Sequence, residues 1–229
     1  MSFFDKYNRL LKTHPFRVNM VTTGLLFGVG DGVAQKLFPL NHDHLDEEKP
    51  KYNVYRTMRA MIYGSCFFAP CGVLWYGKRL PLIKNPFVSV KNRETWSKNR
   101  VHLYDTLYRV AIDQIFIPGL FWIPMYNIVM STLSGYENPL EVAFHKLQHN
   151  WWNVLTTNWM VWPGFQLISF FYIPVHLRIV AANICSVGWN CFLSYLYNGK
   201  AHGDHQKEEI LDHLVDPDEE IEETTMVVY

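Results

Sequence analysis

Five apolar stretches occupy most of residues 17–197, yet nearly every one contains Asp, Gln, Arg or Asn, and several contain Pro or Gly as well. That combination constrains the fold strongly, because hydrocarbon offers no partner to a polar side chain or to a carbonyl that proline leaves unbonded. Such groups need a neighbouring helix or a water-lined cavity. The expected fold is all-α: a polytopic transmembrane helical bundle of about four spans with kinked or broken helices. Bulk composition conceals this, since 49% hydrophobic and 18% charged residues in a chain of 229 would suit a soluble domain too.

Charge is unevenly placed. Residues 201–229 hold ten acids against one base, Lys207, which leaves residues 1–200 with a net charge of +9. Three parts follow: a basic amphipathic N-terminal segment at 1–16, the transmembrane bundle at 17–197, and an acidic tail at 198–229 whose composition is that of disorder. In the first part Phe3, Phe4, Tyr7, Leu10, Leu11 and His14 recur at helical spacing, opposed by Lys6, Arg9, Lys12 and Arg17. The pattern suits an interfacial or organelle-targeting helix, and bundle packing would produce the same one.

The first span, 17–38, repeats glycine at Gly24, Gly28 and Gly32, the spacing that lets two helix backbones approach closely. Asp31 and Gln35 sit one turn apart beside that stripe. Two readings stay open, a polar cavity and a glycine packing seam with a hydrogen-bonded Asp. A polar loop over 39–55 contains His42 and His44 among acids, without the geometry of a metal site.

The second span, 57–80, brings Arg59 near its start, with Asp31 as one candidate partner, and Trp75–Tyr76 near its end. A long connection with Lys78, Arg79, Lys84, Lys91, Arg93, Lys98 and Arg100 follows, broken by Glu94, and is expected on the more negative side of the membrane. It also offers a surface for anionic lipid. The third span, 107–133, carries Arg109, Asp113 and Gln114 ahead of Pro118, Gly119 and Pro124. Prolines six apart predict a kinked helix whose freed carbonyls need partners. An amphipathic link at 135–150 places Glu141, His145 and His149 on one exposed face, and the last apolar stretch divides at Pro174.

No GxSxG, HExxH, Walker loop or dinucleotide-binding fingerprint occurs, and Cys66, Cys71, Cys185 and Cys191 lack CxxC spacing. The expectation is therefore no catalytic residues, no cofactor and no metal. A folded basic module for nucleic acid is missing as well, so no direct nucleic-acid binding is expected.

Asn158-Trp159-Met160-Val161-Trp162-Pro163, followed by Gln166, Phe170, Pro174, Arg178, Trp189 and Ser194, resembles the C-terminal signature of the family of the twenty-two-kilodalton peroxisomal membrane protein and its mitochondrial inner-membrane relatives. Gly30-Asp31 with Gln35, Arg56-Thr57 with Arg59, Pro70 with Trp75–Tyr76, and Asp113–Gln114 with Pro118 are similar to its earlier motifs, in order. The resemblance covers about 8–197. Ser169, Ala69 and Val73 depart from the family pattern, so those positions are not treated as obligatory. The resemblance implies a multi-pass protein of the mitochondrial inner membrane, with the peroxisomal membrane as the alternative. It further implies a channel or a regulator of metabolite traffic, with roles in mitochondrial DNA maintenance, stress response and, in fungal members, ethanol metabolism.

Within that frame, Asp31, Gln35, Arg59, Asp113, Gln114, Gln166 and Arg178 are the candidate lining of a path for small polar or anionic metabolites. The expected partners are the lipid bilayer, such metabolites and further copies of the chain. The rival reading is a nontransporting scaffold or assembly factor in which the same residues join helices.

Overall fold

The structure is a computed structural model and describes residues 2–37 and 52–192. The acidic tail, His42, His44 and most of the polar loop lie outside the described residues. Helix α1, Phe3–Thr13, opens on a capping box in which Ser2 Oγ accepts from the Phe4 amide and Asp5 accepts from the Ser2 amide. Pro15 then starts α2, Pro15–Leu37, where a missing amide costs nothing. At 23 residues α2 is roughly 34 Å long, close to the thickness of a bilayer's hydrocarbon core.

The next segment runs back along α2. It comprises α3, Val54–Ile62, a π-helical stretch Tyr63–Phe68, α4, Ala69–Gly72, and a second π-helical stretch Val73–Arg79. These wide turns flank Pro70, whose lack of an amide favours a change in hydrogen-bond register. After a 3₁₀ turn, Leu80–Leu82, and a short α5, Val90–Thr95, the chain returns through α6, Lys98–Ile115, a π-helical stretch Pro118–Trp122, and α7, Ile123–Leu133. A turn at Gly135, whose φ of 76° suits glycine, leads into α8, Pro139–Tyr172. A 3₁₀ turn, Val175–Leu177, precedes α9, a helix described over 178–192.

Two sequence boundaries need correction. The link at 135–150 is the beginning of the 34-residue α8, because nothing between Pro139 and Pro163 interrupts helix. The third segment is helical from Lys98, nine residues before the expected span, since Ser97 accepts from the Arg100 amide and caps it there.

Among the described residues five segments therefore traverse the bundle in alternating directions, α2, α3–α4, α6–α7, α8 and α9. One end, here the proximal end, gathers α1, the basic connection 80–97 and the turn 173–177. The distal end holds the close of α2, the start of α3 and the Gly135 turn. Asn8 and His176 are hydrogen-bonded, and Tyr7 bonds Thr22, so α1 lies against the proximal end. Among the described residues one helix, Lys98–Leu133, is both long and apolar enough to cross a membrane by length and composition.

Glycines set the helix spacing. A Cβ at Gly24 would come within 3.1 Å of the Ser65 side chain and 3.3 Å of the Met61 carbonyl, so α2 and the second segment nearly touch there. Gly28 and Gly32 face the Met61 side chain and the Tyr52 hydroxyl, while Gly30 faces Val187 and Asn190 of α9. The core near the proximal end comprises Val73, Tyr76, Leu80, Phe170 and Ile179.

The distribution of polarity is inverted relative to a water-soluble globule. Val21, Leu25, Val29, Leu120, Met160, Ile168 and Ile184 point outward, whereas Asn19, Thr23, Asp113, Gln114, Ser131, Gln166 and Asn183 are buried. Water would favour the opposite arrangement, and hydrocarbon favours this one.

Candidate functional site: polar tiers inside an apolar bundle

The distal tier is built on Asp31. Its Oδ1 receives Arg56 Nε at 2.8 Å, and its Oδ2 accepts from Thr57 Oγ1 at 2.7 Å and from Gln35 Nε2 at 2.6 Å. Gln35 extends the clasp, because its Oε1 accepts from the Asn53 amide at 2.8 Å. Asp31 thus joins α2 to α3 with both oxygens occupied. Arg59 is not its partner; Arg59 Nη1 donates to Ser134 Oγ at 2.7 Å and ties α3 to the end of α7. The reason is helical phase: Thr57 and Arg59, two residues apart, stand on opposite sides of α3, so with Arg56 and Thr57 turned to α2 the Arg59 side chain reaches the end of α7 instead. Sequence reading placed Arg56 and Thr57 in a motif without giving them this task. Outside this clasp an apolar groove of about 570 Å³ runs between α2 and α3, with Gly28, Gly32 and Met61 along it and Lys36 and Tyr52 at its rim.

Asp113 centres a second tier nearer the proximal end. It is 1% exposed, and its oxygens accept from Trp75 Nε1 at 2.6 Å and Gln114 Nε2 at 2.8 Å. Tyr76 lies against both Asp113 and the buried Gln166. No basic side chain pairs with Asp113 among the described residues, so neutral donors alone hold this carboxyl in the bundle. A polar buried side chain between α2 and α9 adds to the pattern, with Asn183 Nδ2 donating to Thr23 Oγ1 at 2.7 Å.

Indole and guanidinium groups take up carbonyls that prolines leave free. Pro118 has no amide to give the Gln114 carbonyl four residues earlier, and Trp159 Nε1 donates to that oxygen at 2.7 Å. The Gly119 carbonyl, in the π-helical stretch Pro118–Trp122 and five residues before Pro124, accepts from Trp151 Nε1 at 2.9 Å. Pro174 likewise leaves the Phe170 carbonyl free, and Arg178 Nη2 donates to it at 3.1 Å while Nε donates to the Ile173 carbonyl at 3.2 Å. Two of these three donors, Trp159 and Arg178, belong to the signature itself. Trp162 and Trp189 meet edge to face at 6.1 Å, joining α8 to α9, and Pro163 lies inside α8 without ending it.

The structure therefore divides the seven candidate residues among three places. Asp31 and Gln35 share the distal clasp with Arg59 nearby on α3; Asp113, Gln114 and Gln166 share the second tier; Arg178 stands at the proximal turn. Among the described residues no group of three or more His, Cys, Asp or Glu is placed to hold a metal.

Comparison with known proteins adds a separate line of support. Residues 131–194 match the profile of the Mpv17/PMP22 family. Protein SYM1 of Debaryomyces hansenii is 41% identical over 219 residues, covering 96% of this chain and 97% of that protein. Protein SYM1 of Candida albicans is 39% identical over 197 residues, 86% of this chain and 97% of its own. Protein SYM1 of Saccharomyces cerevisiae is 37% identical over 195 residues, 85% of this chain and 90% of its own. No solved structure matches the chain.

Proposed function

This chain belongs to the Mpv17/PMP22 family of membrane proteins, and from that premise we propose that it is a multi-pass protein of the mitochondrial inner membrane that forms or regulates a channel for small polar or anionic metabolites. The observation that carries the reading is the inverted polarity: outward Leu, Val, Ile and Met, with Asp31, Asp113, Gln114 and Gln166 buried. Burying a carboxyl among helices is costly, and membrane proteins retain such groups mainly where solute, ion or proton traffic uses them. The tiers place polar groups at successive levels of the bundle, as stepping stones for a solute would require. Through such traffic the protein would serve mitochondrial DNA maintenance and the stress response, including ethanol metabolism. It has no part in covalent chemistry, and further copies of the chain are its natural partners in the bilayer.

A specific observation favours a second reading, that of a nontransporting scaffold. Both Asp31 oxygens are consumed by α3 contacts, as a purely architectural residue's would be. Reconstitution of purified protein into planar bilayers and into vesicles loaded with a panel of metabolites separates the two. A channel predicts conductance or flux whose selectivity changes in Asp113→Asn. Stability loss in Asp31→Asn with no flux in any sample would overturn the channel and leave the scaffold.

A further inference from the structure

One stretch of the bundle's outer surface is hollow. The groove of about 570 Å³ between α2 and α3 is walled by Leu25, Val29 and Val33 on one side and Met61 on the other. Leu25 and Val29 are each 56% exposed, so it opens outward, on the face that hydrocarbon would cover. Its rim is polar: Lys36 lies in the last turn of α2, and the Tyr52 hydroxyl is hydrogen-bonded to Thr57 at 2.7 Å.

The depth of the groove matches one leaflet. Leu25 falls near the middle of the 23-residue α2, and from there to Lys36 the groove follows the helix for about 16 Å. Half of a hydrocarbon core of about 30 Å is about 15 Å. The inner end of the groove therefore sits near the bilayer midplane. Its rim reaches the headgroup level, where lysine and tyrosine place their polar tips.

Charge selects the occupant. Lys36 is exposed and pairs with no acid among the described residues, and Asp31 on the same helix spends both oxygens on Arg56, Thr57 and Gln35. A cation in the last turn complements the helix dipole, which accounts for Lys36 alone and not for an apolar slot running from it to the midplane. A second copy of the chain fits poorly, because the close approach that Gly24 and Gly28 permit is already taken by Ser65 and Met61.

We propose that this groove seats one acyl chain of an anionic phospholipid of the distal leaflet, with the phosphate held at the Lys36 ammonium. Lysine binds phosphate as a point charge. A headgroup of net negative charge is favoured over phosphatidylcholine, whose own cation opposes Lys36, by about fivefold, the factor one lysine near an anionic surface supplies. The site requires that the bundle span a bilayer and does not depend on whether it conducts.

The test places full-length protein in phosphatidylcholine nanodiscs with a trace of phosphatidylglycerol or of phosphatidylcholine, each carrying a photoreactive diazirine on one acyl chain. Adducts are mapped by mass spectrometry and normalised to labelling around the outward Met160 of α8. Labelling within 25–36 and 52–61 is expected to be about fivefold stronger with the phosphatidylglycerol probe. Lys36→Gln is expected to bring that ratio close to one, and Lys36→Arg to keep it. Val29→Trp fills the groove and is expected to lower labelling there with either probe. Adducts spread evenly around the bundle would keep the protein in lipid and overturn the site. A preference that survives Lys36→Gln overturns it too, and so does a groove that takes no label while Met160 does.

Discussion

At the scale of single residues, the most telling contacts are those that answer proline. Trp159 reads in the sequence as one more interfacial aromatic, yet its Nε1 closes the bond that Pro118 cannot make to Gln114 O. Trp159→Phe keeps most of the ring and deletes the donor, leaving a carbonyl with no amide partner inside the bundle. An orphaned buried acceptor costs about 1–3 kcal/mol. Chemical unfolding of the detergent-solubilised protein is expected to show a loss of that order. A loss confined to a few tenths would mean that water or another donor serves the carbonyl, and the pairing argument would fail.

At the scale of elements, α1 is held to the proximal turn by a titratable contact. His176 sits between the helices, bonded to Asn8, and partial burial followed by the nearby Lys12 ammonium holds its imidazole below the ordinary range. A base with a lowered folded value binds protons more readily once released, so the docked state is favoured fully above the unfolded value of about 6.5. That contribution is lost as pH falls below about 6.5 towards the folded value. The protection of amides over residues 3–13, taken relative to the intrinsic exchange rate at each pH, is therefore expected to fall between neutral and mildly acidic pH, and His176→Gln is expected to flatten the difference. An identical pH response in wild type and His176→Gln would remove His176 from the explanation. The sequence spacing that predicted a helix at 1–16 was sufficient for its existence, because Phe3 to His14 recur every three or four residues. Its docking partner was not legible, since Asn8 and His176 are 168 residues apart.

At the scale of the whole molecule, the helical class and the demand for buried partners were legible, because apolar length and proline act locally. Pairings across helices were not. Asp31 has Arg56, Arg59 and Thr57 within a single motif of the second segment, and only the phase of that helix against α2 selects Arg56 and Thr57. Trp-rich α8 also shows why hydropathy undercounts segments: Trp151, Asn158 and Trp159 lower its average while their side-chain nitrogens donate to Gly119 and Gln114 across the bundle. The alternating path of the chain has a consequence for sidedness. Lys91, in the basic connection, and Glu137, in the Gly135 turn, fall at opposite ends, and the end with α1 and the basic connection is expected on the more negative side. In a background with Cys66, Cys71, Cys185 and Cys191 replaced by Ala, Lys91→Cys and Glu137→Cys can each be exposed to a membrane-impermeant maleimide in sealed vesicles. A spanning bundle requires that one site react before permeabilisation and the other only after it. Reaction of both sites from the same face would show that the segments do not cross, and the inverted polarity would then need a protein partner, rather than lipid, to cover the outward Leu, Val and Ile.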